Sequence, residues 1–261
     1  MTGKPSWMVA GAMALMAGWA APAAAQSEAC REVAHRGERY AVCSFSPAEK
    51  QVSMHLNDGS GTPYGSIRAL EQKTGPFDMA MNGGMYRDDL SAVGLYFESG
   101  RELSPLSTRD GWGNFHLLPN GVFHVSGGSD GEQRWGVSET EAFAENRPDD
   151  LLHATQSGPM LVIDGELHPR FLPESDSLKV RNGVGVDTEG RAHFAISRGR
   201  VRFHDFGTLF RDVLQTPNAL FLDGTISTFE AGARRQGGWR EIGPIITVRP
   251  RPMPDEGEGE G

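Results

Sequence analysis

Helices cannot dominate this chain. Its 34 glycines and 16 prolines are spread through 261 residues, mostly between short runs in which apolar and polar residues alternate. Glycine supplies the positive φ that tight turns need, and proline fixes φ and removes a donor, so this spacing calls for many strands joined by short reversals. Strands are predicted at residues 39–45, 52–57, 77–81, 93–97, 114–118, 122–126, 153–156, 160–163, 183–187, 192–197, 219–222 and 245–248. Pro119-Asn120-Gly121, Asp164-Gly165 and Asp187-Thr188-Glu189-Gly190 offer turn chemistry between them. Helical signals are fewer. Phe206, Leu209, Phe210, Val213 and Leu214 recur at helical spacing over 205–214, Ser138 with Glu141 can form a capping box, and 66–73 reads as a short helix. The fold class expected is α+β: a mixed, mainly antiparallel sheet with a few packed helices.

Lys4, an apolar stretch from Trp7 to Trp19, and Ala23-Ala24-Ala25 before Gln26 have the order of a secretory leader, predicting cleavage after Ala25 and no membrane span in the mature chain. Residues 26–248 are then read as a single domain, and the Pro- and Glu-Gly-rich stretch 249–261 as a disordered tail. A periplasmic or secreted location follows, and there the pair Cys30 and Cys43 reads as one disulfide closing a short loop. The formal net charge of -9, with no clustered Lys and Arg, argues against nucleic acid as a partner.

Four predicted strands run straight into small and polar residues where an ordinary loop would be expected. They are Met81-Asn82-Gly83-Gly84-Met85-Tyr86, Thr155-Gln156-Ser157-Gly158-Pro159, Arg181-Asn182-Gly183-Val184-Gly185 and Leu222-Asp223-Gly224, followed by Ser227. Singly, Asn-Gly and Asp-Gly are turn chemistry and Gly183-x-Gly185 is a weak hint of a phosphate loop. Together, four such strand ends can converge on one sheet edge, where glycine lets the backbone approach a ligand closely. His-Glu-x-x-His, Gly-x-Ser-x-Gly and Walker patterns do not occur. Ser157 and His153, four residues apart on one strand, would stand about 13 Å apart, too far for a nucleophile and its base. Tyr86, Trp112, Phe115, Phe229 and Trp239 can stack on sugar rings, although aromatics on strands more commonly pack in a core.

In order and spacing these motifs resemble the phosphodiester glycosidase family, over residues 77 to 248. The resemblance implies a hydrolase of carbohydrate or sugar-phosphate substrates. It implies a catalytic set of Asp223, Arg181 and Asn182, with Asn82, Gly83, Gly84, Thr155, Gln156, Ser157, Gly158, Gly224 and Ser227 binding substrate. Arg181 is then the phosphate contact, since a planar guanidinium can hold two phosphate oxygens; the plainer alternative is a core-edge arginine paired with a carboxylate. Asp223 could stabilise or attack an oxocarbenium-like carbon, bind a sugar hydroxyl, or hold a metal; its plainer alternative is an Asx turn. With Asn82 and backbone carbonyls it could supply part of the oxygen shell of a divalent cation such as calcium, though no dedicated loop encodes one. Asp78, Asp205 and Glu230 stand in reserve. Two other readings keep the same motifs: a carbohydrate-binding or exopolysaccharide-assembly protein without turnover, and a phosphodiesterase that cleaves P–O.

Overall fold

The computed structural model of the chain describes residues 3, 29–127, 131–224 and 226–252. The expected leader, apart from Gly3, and residues 253–261 of the expected tail lie outside the described residues. Three antiparallel sheets form the architecture, with strands numbered in chain order. The first runs β1 (Cys30–His35), β2 (Glu38–Phe45), β13 (Ala192–Ser197), β12 (Asn182–Val186), β14 (Asn218–Asp223), β10 (Met160–Ile163), β11 (Glu166–Leu167). The second runs β16 (Arg234–Gln236), β15 (Phe229–Ala231), β4 (Met79–Asn82), β17 (Ile245–Pro250), β3 (Lys50–His55). The third runs β6 (Arg101–Ser104), β5 (Tyr96–Glu98), β9 (Leu151–Ser157), β7 (Gly121–Gly127), β8 (Gln133–Glu139). The expected α+β class is what the chain adopts, with three sheets in place of one.

All three sheets contribute to the largest apolar cluster: Val184, Phe194 and Leu222 from the first, Val52, Met81 and Ile246 from the second, Phe123, Val125 and Trp135 from the third. Alternation along each strand sends these side chains inward. The opposite face of the first sheet is covered by α3 (Phe203–Thr208), which continues as a wider π turn over Leu209–Val213 and buries Phe206 and Phe210 against Leu161 and Phe221. Gly183 and Gly185 make this seat possible. A Cβ on Gly183 would lie 3.2 Å from the Phe206 ring, and one on Gly185 would lie 2.9 Å from the Phe210 ring. The Gly-x-Gly pair thus admits a helix to the sheet, a packing role.

Helix α1 (Ile67–Thr74) starts where expected, with the Ser66 hydroxyl accepting the Ala69 N–H. The expected start at Ser138 is corrected: β8 runs through Glu139, whose carboxylate caps α2 (Thr140–Glu145) by accepting the N–H groups of Glu141 and Ala142. Residues 114–118, expected as a strand, hold a 3₁₀ turn over Asn114–His116 that buries Phe115. The last strand reaches Pro250, so Arg249 and Pro250 pair with Gln51 and Lys50 instead of opening a tail. Cys30 and Cys43 face one another across β1 and β2 and are joined by a disulfide. Among the described residues no helix is long and apolar enough to cross a membrane.

Burial pushes His55, His124 and His153 down to about 4. Their unfolded values lie near about 6.5, so between those two pH values the unfolded chain binds more protons. Stability is therefore expected to be fully present above pH ~6.5 and to decline as pH falls toward ~4. Urea midpoints at pH 7 and pH 4.5 check this; equal midpoints would contradict it. Opening the 13-residue disulfide separation with reductant should cost about 2–3 kcal/mol, read by urea unfolding with and without reductant.

Candidate active site

The four motif-bearing strand ends meet where the three sheets join. Strand β4 of the second sheet ends at Asn82, β12 of the first begins at Asn182 and pairs with the end of β14 at Asp223, and β9 of the third ends at Ser157. The Asn182 carboxamide binds in two directions. Its Nδ2 donates to Asn82 Oδ1 at 2.9 Å, and its Oδ1 accepts the Asp223 N–H at 2.8 Å. Asn82 Oδ1 also accepts the Thr228 N–H at 2.8 Å, and Ser157 Oγ donates to the Leu222 carbonyl at 2.8 Å. Asn82, Asn182 and Ser157 are completely buried, while Asp223 is half-buried. A carboxamide meets this demand because it carries a donor and an acceptor on one rigid plane.

The rest of the first two motifs ties β4 to the segment before β17 and to the third sheet. The Gly83 N–H donates to the Pro244 carbonyl, and the Gly84 N–H to Thr155 Oγ1 at 3.1 Å. A Cβ on Gly84 would fall 2.4 Å from the Gln156 carbonyl oxygen, so only glycine allows this approach. Gln156 satisfies its own carboxamide entirely: Oε1 accepts from the Leu95 and Ser107 N–H groups, and Nε2 donates to Ser107 O and Thr140 Oγ1. Gly158 turns the chain between β9 and β10, and Gly224 follows Asp223 directly. Ser227 Oγ donates to the Asp223 carbonyl at 2.8 Å, closing the turn beyond β14.

Arg181 lies elsewhere. Adjacent residues of a strand point to opposite faces, and its guanidinium sits on the α3 side, 3.5 Å over the Phe203 ring and 5.6 Å from that of Phe221. Nε donates to the Val201 carbonyl and Nη2 to that of Ser177. Burial lowers its pKa to about 10, which leaves it charged at neutral pH. The reserve carboxylates are held in ion pairs: Asp78 with Lys50, Asp205 with Arg36, Glu230 with Arg235.

The Tyr86 hydroxyl donates to the Glu241 carbonyl at 3.1 Å. Burial, then the Asp223 carboxylate, raise the Tyr86 pKa, and Arg240 opposes them, so carboxylate and guanidinium both lie within electrostatic reach of this hydroxyl. Arg240 is exposed. Arg240 belongs to no strand end, and its signal in the sequence is a cation next to Trp239 in the loop before β17. A cavity of about 400 Å³ lined by Arg87, Gly94, Ser107, Arg109 and His116 adjoins the first two motifs. Phe115 and Phe229 are core residues, whereas Trp112 and Trp239 are 97% and 86% exposed. Among the described residues no three His, Cys, Asp or Glu side chains cluster as metal ligands.

Residues 77–248 match the phosphodiester glycosidase family. The chain belongs to that family. It is 36% identical over 187 residues to the uncharacterized protein YigE of Escherichia coli K12, covering 70% of this chain and 71% of that one. Its fold is similar to the zebrafish N-acetylglucosamine-1-phosphodiester alpha-N-acetylglucosaminidase catalytic domain, solved auto-inhibited by its pro-peptide, with TM-score 0.60 and 15% identity over 85% of this chain and 82% of that one. A putative exported protein of Burkholderia pseudomallei K96243 superposes with TM-score 0.58 at 11% identity, covering 82% of this chain and 74% of that one. At these identities the solved structures report a shared fold.

In this member of the phosphodiester glycosidase family, Asn182→Ala would remove the Oδ1 that accepts the Asp223 N–H and strip a donor from Asn82. A loss of about 2–4 kcal/mol is expected in urea unfolding. A loss under about 0.5 kcal/mol would show that the bridge is not holding the seam.

Proposed function

We propose that this protein is an exported hydrolase that cleaves a glycosyl phosphodiester, or a related cell-envelope glycan, at the sugar C–O bond. The observation that supports this most is the placement of Asp223: a half-buried carboxylate at the sheet junction, with its own N–H held by Asn182 and its carbonyl by Ser227. A carboxylate carried on a main chain held in this way can face the positive charge that develops at the anomeric carbon. A phosphate, with a second pKa near about 6, departs without a general acid, so a second carboxyl group is not required. Asn82 and Asn182 set the position of Asp223, and Gly83, Gly84, Ser157, Gly158 and Gly224 let the strand ends pack closely enough to frame it.

The phosphate charge falls to Arg240, which acts on the Tyr86 hydroxyl together with Asp223, because the Arg181 guanidinium lies on the α3 side against Phe203 with two of its nitrogens bound to carbonyls. Arg181 then serves as a positioning residue that fixes the start of β12. The exposed Trp112 and Trp239 are available to stack on sugar rings. The disulfide, the apolar leader with its Ala-rich end, and the likeness to an exported protein support a periplasmic or secreted location for a single domain over residues 26–248.

The test is sugar release from a panel of glycosyl-1-phosphodiesters. Asp223→Asn should lower kcat at least about a hundredfold while its circular dichroism stays native. Hydrolysis in 18O-water should place the label on the sugar. Label on phosphate would favour the phosphodiesterase, and sugar binding without turnover across the panel would favour a carbohydrate-binding or exopolysaccharide-assembly protein.

A further inference from the structure

Toward the opposite end of the first sheet from Asp223, three side chains form a relay that the site above does not use. Ser44 on β2 and His193 on β13 are direct cross-strand partners, and Ser44 Oγ lies 2.8 Å from His193 Nδ1. On the other side of the ring, His193 Nε2 lies 2.9 Å from Asp187 Oδ2. The carboxylate is itself fixed, because Asp187 Oδ1 accepts the N–H groups of Glu189 and Arg191, both at 2.9 Å. A carboxylate on Nε2 demands the proton there and leaves the Nδ1 lone pair facing the Ser44 hydroxyl. Nucleophile, base and orienting carboxylate thus stand in hydrogen-bonded sequence.

The relay is also accessible in the right order. A cavity of about 670 Å³ is lined by Ser44 and His193 together with Arg31, Arg191, Glu49 and Lys50, the last paired with Asp78, while Asp187 lies behind the ring, outside that lining. Burial lowers the His193 pKa, Asp187 opposes this, and the nearby Arg191 and Arg31 lower it further, so the ring is neutral and able to take a proton at pH 7. The two guanidiniums are on the cavity wall, where they can meet an oxyanion or an acidic substituent.

We propose that Ser44, His193 and Asp187 form a second, nucleophilic site that takes carboxylic esters bearing an anionic group. Ser44 Oγ attacks the acyl carbon as its proton passes to His193 Nδ1. The bond to the alcohol oxygen breaks, and that oxygen takes the proton from His193. Water, deprotonated by the same ring, then releases the acid and restores Ser44. Asp187 is a positioning residue.

A fluorophosphonate probe, followed by peptide mapping, tests this on the purified protein. The expected result is a single adduct on Ser44, absent in Ser44→Ala. Asp187→Asn should slow labelling and move its pH midpoint downward, because the carboxylate no longer raises the His193 pKa. Hydrolysis of p-nitrophenyl hemisuccinate should exceed that of p-nitrophenyl acetate at least about tenfold in kcat/KM, and Arg31→Ala should erase the preference. No adduct on the wild-type protein, an adduct elsewhere, or ester hydrolysis unchanged in Ser44→Ala would overturn the proposal.

Discussion

One side chain holds the architecture at its most demanding point. Three sheets meet at a junction where strand ends leave backbone groups buried, and a buried unpaired donor costs about 1–3 kcal/mol. The Asn182 carboxamide resolves this by reaching Asn82 on the second sheet with its nitrogen and the Asp223 N–H on its own sheet with its oxygen. Asn82 passes the constraint on to Thr228, and Ser157 brings in the third sheet through Leu222. The buried polar network and the placement of Asp223 are therefore the same set of bonds.

A consequence of strand alternation is that β12 serves two purposes at once. Asn182 and Val184 face the junction and the central core, while Arg181, Gly183 and Gly185 face α3. The glycines let the helix approach, and Arg181 lies flat on Phe203 within that second layer. Residues that are neighbours in the motif are thus divided between the site and its support, and changes in the α3 layer would reach Asp223 through the backbone of β12 and through Phe221 on β14. The same alternation places Arg31, Ser44, Arg191 and His193 together around the cavity farther along this sheet.

Much of this was legible in the amino-acid sequence because its causes are local. Short apolar runs ending in Asn-Gly-Gly, Ser-Gly-Pro or Asp-Gly marked the strands β4, β9 and β14, and 66–73 was readable as a short helix. Other features depend on partners distant in the chain. Glu139 rather than Ser138 caps α2 because β8 must extend to pair Gly121 with Glu139. The 3₁₀ turn over Asn114–His116 follows from burial of Phe115, a tertiary demand that overrides strand propensity. The turn at Asp187 was readable, yet its bond to His193 and the pairing of that ring with Ser44 require the register of β2 on β13. The orientation of Arg181 required knowing which face of β12 the helix covers.

The claim that the two asparagines act as one coupled bridge across the sheets is tested most directly by a double-mutant cycle in urea unfolding, with Asn82→Ala, Asn182→Ala and the double variant. A coupling energy of about 1 kcal/mol or more is predicted, since each single change removes the same bond. Additivity within about 0.5 kcal/mol would contradict the account, showing that the sheets are held together by their apolar core and that the asparagines contribute independently.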